Sequence, residues 1–226
     1  SNIIKVNNCL ISSSGAVYMN MLGIIKADFM SACIKVEFEE LVIYVDPLVI
    51  DDTAKADYIF ITHIHQDHFS KTDIEKLLKP ETIVIGPKPV TKKIKENKTI
   101  TVEIGKTLEL RKIKCEVVES YNINSKLHKK GSDYVGYVLI CDETRIYVAG
   151  DTDFIPEMKE LEDITVAIIP IGEGKTAMNP QTGAEAVNAI NPKIAIPIHY
   201  ELGENRVEEF KESVDENIEI KIFKTN

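Results

Sequence analysis

Short apolar runs separated by polar turns dominate the first part of the chain. Residues 41–45 form one such run, which ends at Asp46 and Pro47, and residues 57–62 (DYIFIT) form another. Runs this short and this rich in Ile, Val and Tyr are typical of buried strands rather than of helices. The same pattern predicts further strands at 82–85, 99–104, 107–111, 113–119, 134–141 and 144–149.

Segments with helical signals lie between and after these strands. Thr72 and Glu75 have the spacing of a capping box, which predicts a helix over 72–79 that Pro80 stops. Asn179 followed by Pro180 predicts the start of a helix that runs to about residue 190. The remaining predicted elements are a short basic helix near 89–97, strands at 165–170, 193–198 and 218–223, and a helix at 204–214.

The order of these elements predicts the fold class. Two β-rich halves, each with attached helices, favour a layered α/β sandwich, and strand–helix–strand repeats favour parallel pairing. The chain has 226 residues, of which 44% are apolar, and it contains no linker, low-complexity segment or strong repeat. We therefore expect a single domain that spans residues 1–226.

The net charge and the cysteines indicate which binding partners and which cellular compartment to expect. The 27 basic and 36 acidic residues give a net charge of −9, which disfavours a nucleic acid as the main partner. Cys9, Cys33, Cys115 and Cys141 are far apart in apolar surroundings, so we expect buried free thiols rather than disulfides. No run has the length of a membrane span and no signal peptide is recognised, which favours a reducing cytoplasm. No pattern favours a particular oligomeric state.

Three of the chain's five histidines lie within residues 62–68. His63, His65 and His68 accompany Asp67 directly after the apolar run at 57–62, where α/β folds place functional groups. Neutral imidazoles with a carboxylate suit zinc, manganese or iron. Alternation in an extended loop points His63 and His65 toward one ion. Asp67 and His68 can serve a second ion, which in paired sites lies about 3.5–4 Å away.

The pattern H-x-H-x-D-H at 63–68 resembles the hallmark of the metallo-β-lactamase superfamily. Residues 46–47, 145–153 (RIYVAGDTD) and 196–200 (IPIHY) are similar to further motifs of that family, so the resemblance covers residues 30–200. It looks closest to the branch with the ascorbate-phosphate lactonases and the N-acyl phosphatidylethanolamine phospholipases. It implies a four-layer αββα sandwich and a hydrolytic activity.

The resemblance also implies the rest of the metal site. Asp151, which follows Gly150 at the end of an apolar run, corresponds to the carboxylate that bridges the two ions. His199 corresponds to a ligand of the second ion, together with Asp67 and His68. Local sequence alone also allows a turn aspartate and a structural histidine at these two positions. Asp46 is expected to orient a ligand histidine rather than to bind metal.

One element of the family pattern is missing. Residues 118–122 (VESYN) contain no histidine, although the family has the third ligand of its first ion there. The nearest histidine is His128, in a predicted polar loop over 122–132, and three roles stay open: metal ligand, substrate contact or solvated loop residue. We include it among the candidate metal ligands, which are His63, His65, Asp67, His68, His128, Asp151 and His199.

The expected function is that of a metal-dependent hydrolase in which a metal-bound hydroxide attacks a small-molecule ester, lactone or phosphodiester. Two divalent ions are the expected cofactors, with zinc first and manganese or iron as alternatives. Asp67 is the expected catalytic residue because it can accept a hydrogen bond from the hydroxide and assist proton transfer. Lys175 either lies at the mouth of the site or is a solvated loop lysine.

Two other functions remain open from the sequence. The missing histidine is compatible with a metal-holding module without catalysis. A di-iron redox protein is disfavoured because the related flavodiiron proteins usually have a carboxylate at the position of His65 and work with a flavin domain, for which this chain has no room.

Overall fold

The computed structural model describes residues 8–11, 16–21, 32–50, 54–201 and 205–222. By its internal contacts the chain divides into two compact units, of which the first reaches Glu103 and the second spans Ile104–Ile222. Each unit is built on one seven-stranded sheet. The sequence prediction of two β-rich halves with attached helices is therefore confirmed.

The strands of the first sheet lie side by side in chain order. Strands β1 to β4 pair antiparallel, and strands β4 to β7 pair parallel. The strands are β1 (Asn8–Ile11), β2 (Ala16–Met21), β3 (Ile34–Phe38), β4 (Leu41–Val45), β5 (Tyr58–Phe60), β6 (Ile83–Gly86) and β7 (Lys98–Thr101). The helices that connect the parallel strands are α1 (Lys71–Leu77) and α2 (Lys88–Thr91).

Both of these helices differ from the sequence prediction. Helix α1 begins after Ser70, whose side chain accepts a hydrogen bond from the Asp73 backbone N–H, so the predicted capping box at Thr72 and Glu75 is wrong. Helix α2 is a single turn rather than the predicted segment 89–97. Pro87 starts it, and beyond Thr91 the chain turns directly toward β7.

The second sheet has the strand order β14-β13-β12-β11-β10-β9-β8. Strands β8 to β11 pair antiparallel and strands β11 to β14 pair parallel. The strands are β8 (Thr107–Glu109), β9 (Lys114–Glu119), β10 (Val135–Cys141), β11 (Thr144–Val148), β12 (Val166–Pro170), β13 (Ile194–Ile198) and β14 (Glu219–Ile220). A 3-10 helix, Pro156–Glu160, and the helices α3 (Pro180–Ile190) and α4 (Arg206–Ser213) complete this unit.

Helix α3 starts and ends as its sequence predicts. The Asn179 side chain accepts a hydrogen bond from the Thr182 backbone N–H, and Pro180 occupies the first turn, where its missing N–H costs nothing. Asn191 ends the helix in the left-handed conformation, with φ of 51°. The buried face of the helix packs against the continuously apolar strands β12 and β13, which are buried on both faces.

The cysteine and membrane expectations can be compared with the described part of the chain. Cys115 and Cys141 are free and buried, as expected, and Cys33 is buried, while the Cys9 side chain lies outside the residues whose side chains are described. Among the described helices, none has both the length and the apolar character needed to span a bilayer.

The directions of the strands determine at which edge of each sheet the candidate ligands lie. In the second sheet β9, β11 and β13 run in the same direction, so their carboxyl ends meet at one edge. His128 lies in the segment that follows β9, Asp151 follows β11 and His199 follows β13 directly. In the first sheet the corresponding loop after β5 carries residues 63–68.

Candidate metal centre

The loop after β5 brings its three imidazoles together. Backbone hydrogen bonds from His68 N and Phe69 N to the His65 carbonyl oxygen, of 3.0 and 2.8 Å, close a tight turn. The ring centroid of His63 lies 4.9 Å from that of His65 and 4.1 Å from that of His68. His63 and His68 are buried, whereas Asp67 is about one-third exposed. The loop therefore offers imidazole nitrogens on one side and an accessible carboxylate beside them.

A buried carboxylate at the end of β4 orients two of these imidazoles. Asp46 Oδ2 accepts a hydrogen bond from Thr62 Oγ1 at 2.6 Å and lies 2.7 Å from His68 Nδ1. Asp46 Oδ1 accepts from the Thr62 backbone N–H at 2.8 Å, and Thr62 Oγ1 lies 3.0 Å from His63 Nδ1. With Nδ1 hydrogen-bonded in this way, Nε2 is the atom that His63 and His68 could offer to a metal ion. Asp46 thus contacts His68, while its role in orienting a metal ligand stays a prediction.

At the edge of the second sheet, Asp151 lies among three further polar groups. Its Oδ1 atom is 3.4 Å from His199 Nε2, and its Oδ2 atom accepts a hydrogen bond from Thr176 Oγ1 at 3.0 Å. Ser120 Oγ donates to the Asp151 backbone carbonyl at 3.0 Å. Asp151 and His199 are both almost fully buried. A carboxylate and an imidazole held this close in a buried position form a suitable pair of metal ligands.

His128 is not a solvated loop residue. Its side chain is 0% exposed, and its ring stacks on Tyr134 with centroids 4.1 Å apart and an interplanar angle of 12°. His128 Nδ1 lies 3.2 Å from the Asp151 backbone carbonyl oxygen, so Nδ1–H can donate there. Of the three roles that the sequence left open, the solvated loop residue is therefore wrong. The polar loop sequence does not reveal that the ring is buried and stacked on Tyr134.

Backbone strain accompanies two of these residues. Asp46 has a φ of 46° and His199 a φ of 56°, both in the left-handed region that non-glycine residues rarely adopt. Such conformations persist where the surrounding structure imposes them, and they gather at functional sites. Gly150, with a φ of 68°, provides the tight turn before Asp151 that the sequence predicted.

Each compact unit contributes its own candidate ligands. In the first unit they lie in the loop after β5 and are His63, His65, Asp67 and His68. In the second unit they follow β9, β11 and β13 and are His128, Asp151 and His199. Imidazole nitrogens with carboxylate oxygens fit zinc, manganese or iron, and they do not fit calcium or magnesium. The donor set therefore agrees with the expected metals.

Several supporting residues have no clear sequence signal. Thr62, Thr176 and Ser120 hold ligand side chains or their backbone, but a threonine or serine beside a strand is too common to be recognised. Tyr134, which stacks on His128, lies six residues away in the chain. Tyr200 is buried in the core of the second unit, where burial raises the pKa of its hydroxyl.

Comparison with known proteins identifies relatives over most of the chain. A family profile described as the beta-lactamase superfamily domain matches residues 29–199. A UPF0173 protein of Pyrococcus furiosus is 35% identical over 81% of this chain and 87% of its own length. A UPF0173 metal-dependent hydrolase of Methanopyrus kandleri is 30% identical over 82% of this chain and 89% of its own length.

Solved structures show the same fold. The crystal structure of a candidate metal-dependent hydrolase from Parabacteroides distasonis matches with a TM-score of 0.84 and 28% identity, and it covers 97% of this chain and 98% of that one. The metallo-beta-lactamase fold protein YhfI from Bacillus subtilis matches with a TM-score of 0.73 and 13% identity, covering 91% and 93%, and shows the fold alone.

These relatives confirm the predicted superfamily, its fold class and the enzymatic character of the chain. Family models, curated relatives and structural neighbours agree over the segment in which the sequence motifs occur. The chain belongs to the metallo-β-lactamase superfamily and, within it, to the UPF0173 family of metal-dependent hydrolases.

Proposed function

We propose that this chain binds two divalent ions, preferably zinc, and hydrolyses an ester, lactone or phosphodiester bond in a small molecule. The observation that carries the proposal is the oriented, largely buried loop of His63, His65 and His68 in the first unit, together with the buried pair of Asp151 and His199 in the second. Ions held there would lower the pKa of coordinated water toward about 7 and polarise the bond that is cleaved.

The protein's own contribution begins with the orientation of the ligands. Asp46 and Thr62 hold the Nδ1 edges of His68 and His63, so both rings keep one tautomer and one orientation. Thr176 donates to one oxygen of Asp151, which leaves the other oxygen, next to His199, for the ions. These contacts prepare the ligands before any substrate arrives.

Asp67 is the proposed group that moves a proton. Its Oδ2 atom lies 3.5 Å from His68 Nε2, and about one-third of the side chain is exposed. A carboxylate that is partly exposed beside the ligands can accept a proton from the attacking water and return it to the leaving group. The buried Asp46 and Asp151 have hydrogen-bond donors that already occupy one of their oxygens, so they suit this task less well.

The single-domain organisation over residues 1–226 and a cytoplasmic location remain part of the proposal. The family profile extends over 29–199 and so includes residues of both compact units, which supports one functional domain. The two buried free thiols of Cys115 and Cys141 are compatible with a reducing compartment.

Metal analysis tests the proposal directly. Protein loaded with zinc or manganese and freed of excess metal should hold close to two ions per chain by elemental analysis. Asp151→Ala should hold fewer, because Asp151 is one of the proposed ligands. Hydrolysis of a panel of esters, lactones and phosphodiesters should disappear on chelation and return with added metal.

A protein that binds no ion with all seven ligands intact would refute the proposal, and two bound ions without turnover of any substrate would favour a metal-holding module.

A further inference from the structure

A cavity of about 460 Å³ lies at the edge of the second sheet between two loops. The segment Asn124, Ser125, Lys126 and Leu127 forms one wall, and Gly174 with Lys175 forms another. Its volume falls within the range of about 300–1,000 Å³ that is common for small-molecule sites. None of its lining residues is a candidate metal ligand.

Hydrogen bonds connect the wall of the cavity to Thr176, which holds the Asp151 side chain. Asp153 lines it, two residues after Asp151 in the chain. Asn122 Nδ2 donates to Asp153 Oδ1 and to the Thr176 carbonyl oxygen, both at 3.1 Å. Thr176, the neighbour of Lys175, donates in turn to Asp151 Oδ2 at 3.0 Å. The two loops that form the cavity are therefore tied together next to a proposed ligand.

The charges in this cavity favour an anion. Lys126 and Lys175 make no ion pair with any residue in the described part of the chain. The neighbouring carboxylate of Glu173 is taken up by Arg206 at 2.7 Å, so it does not neutralise Lys175. Asp153 accepts hydrogen bonds from the Ile123 backbone N–H at 2.7 Å and from Asn122, which satisfies its charge locally. Two ammonium groups at one cavity contrast with the net charge of −9 of the whole chain.

An apolar surface adjoins these charges. Leu127 lines the cavity and is 50% exposed, and Ile123 in the same loop is 58% exposed. These are two of the three large apolar side chains that are exposed among the described residues. A ligand with an apolar body beside its charged group would cover them.

We propose that Lys126 and Lys175 bind an anionic group of the substrate that is remote from the bond to be cleaved, with Leu127 against an apolar part of the same molecule. This inference rests on the proposed hydrolytic function and specifies its substrate class. It makes both lysines specificity residues that act through affinity, so their loss should raise KM and leave kcat almost unchanged.

The test uses metal-loaded protein and two matched pairs of probes. Phenylacetate and phenylacetamide differ only in charge and report binding by ligand-observed NMR, without turnover. The second pair is 4-acetoxyphenylacetate and its primary amide. These two compounds have the same difference in charge, and each also contains an ester that can be hydrolysed. The test variant is Lys126→Gln with Lys175→Gln. Lys129→Gln is the matched control, because Lys129 is an exposed lysine of the same loop that does not line the cavity.

The charged probe should bind wild type and the control variant about five- to tenfold more tightly than the double variant, as expected for two exposed charges. The advantage of wild type over the double variant in binding the charged probe should weaken as the salt concentration rises. The neutral probes should behave alike with all variants. The inference would be overturned if phenylacetate bound wild type and the double variant equally, or if the two proteins showed the same preference for the charged over the neutral ester. Charge-selective binding without hydrolysis of any ester would support the anion site while counting against the proposed hydrolytic function.

Discussion

Asp46 Oδ2 lies 2.7 Å from His68 Nδ1, and both side chains are almost completely buried. The carboxylate thereby decides which nitrogen of the imidazole carries the proton and which one can bind an ion. The same oxygen accepts the Thr62 hydroxyl hydrogen bond, so one acidic side chain links the orientation of His68 to that of His63.

Replacement of Asp46 should therefore weaken metal binding although Asp46 is not a ligand. Asp46→Asn keeps the size of the side chain and tolerates the φ of 46°, but its amide nitrogen cannot accept the hydrogen bonds that Oδ2 receives. We expect the metal affinity to fall about 10- to 100-fold, which is typical for the loss of a residue that orients a ligand. Competition with a chromophoric chelator measures this affinity.

The control for this experiment is Asp57→Asn. Asp57 accepts hydrogen bonds from the Val42 backbone N–H and from Lys79, and it is not one of the candidate metal ligands. Its loss should lower stability with metal affinity unchanged. Equal affinity of Asp46→Asn and wild type would show that the contact does not matter for binding.

His128 should contribute to the binding of the first ion. We expect His128→Ala to bind that ion at least about tenfold more weakly, because His63 and His65 would be the only histidines left for it. Lys129→Ala changes an exposed lysine of the same loop and should behave like wild type. If His128→Ala has unchanged metal affinity but a raised KM, His128 contacts substrate instead.

Asp73 should stabilise the protein in a pH-dependent way. Burial alone would raise the pKa of this carboxyl, but hydrogen bonds from Ser70, Lys76 and the Val49 backbone N–H outweigh burial and lower it. A carboxyl with a lowered pKa in the folded state adds stability above its unfolded pKa of about 3.9, and this contribution is lost as the pH falls toward the folded value.

Asp73→Asn should therefore cost about 1–2 kcal/mol in the free energy of unfolding at pH 7, and the difference from wild type should shrink below about pH 4. Urea denaturation at several pH values measures both effects. Asp215→Asn, an exposed position, should cost little at any pH. A difference between Asp73→Asn and wild type that stays constant down to pH 3 would contradict the assignment.

The buried thiols should be unreactive in the folded protein. Burial raises the pKa of Cys141 to about 12, with a smaller effect from Asp142, and burial together with Glu116 raises that of Cys115. Because the thiolate is the reactive form, iodoacetamide at pH 8 should modify both at least about a hundredfold more slowly than in denaturant. Peptide mass spectrometry reads each cysteine separately. Rapid modification of either thiol in the native protein would show that the surrounding core opens easily.

The sequence of this chain carries its local features more completely than its long-range contacts. The H-x-H-x-D-H loop and the strands β4, β12 and β13 were predictable because dense apolar runs and unusual histidine spacing are local features. Helix α1 was found with the wrong cap, because Ser70 and Thr72 are equally good caps by residue type and only the Asp73 hydrogen bond decides between them.

The environment of His128 and the role of Thr176 could not be predicted, because both depend on contacts between distant segments. Thr176 meets Asp151 from 25 residues away, and His128 meets the Asp151 carbonyl from 23 residues away. Such contacts follow from the order of strands in the sheet, which apolar periodicity does not determine.

Two variants separate the effect of the left-handed backbone at His199 on stability from the effect of its imidazole. His199→Gly and His199→Ala both remove the side chain, but only glycine adopts a φ of 56° without strain. In chelator, His199→Gly should be about 1 kcal/mol more stable than His199→Ala by urea denaturation. Equal stability would mean that the turn relaxes when the imidazole is removed.

That backbone conformation has a consequence for the history of such proteins. A chain under selection for folding alone gains by placing glycine or asparagine after β13, so histidine persists there only while its side chain is useful. Descendants that lose the catalytic requirement should therefore drift first at this turn, and the residue found there should indicate which members of a lineage still carry out chemistry.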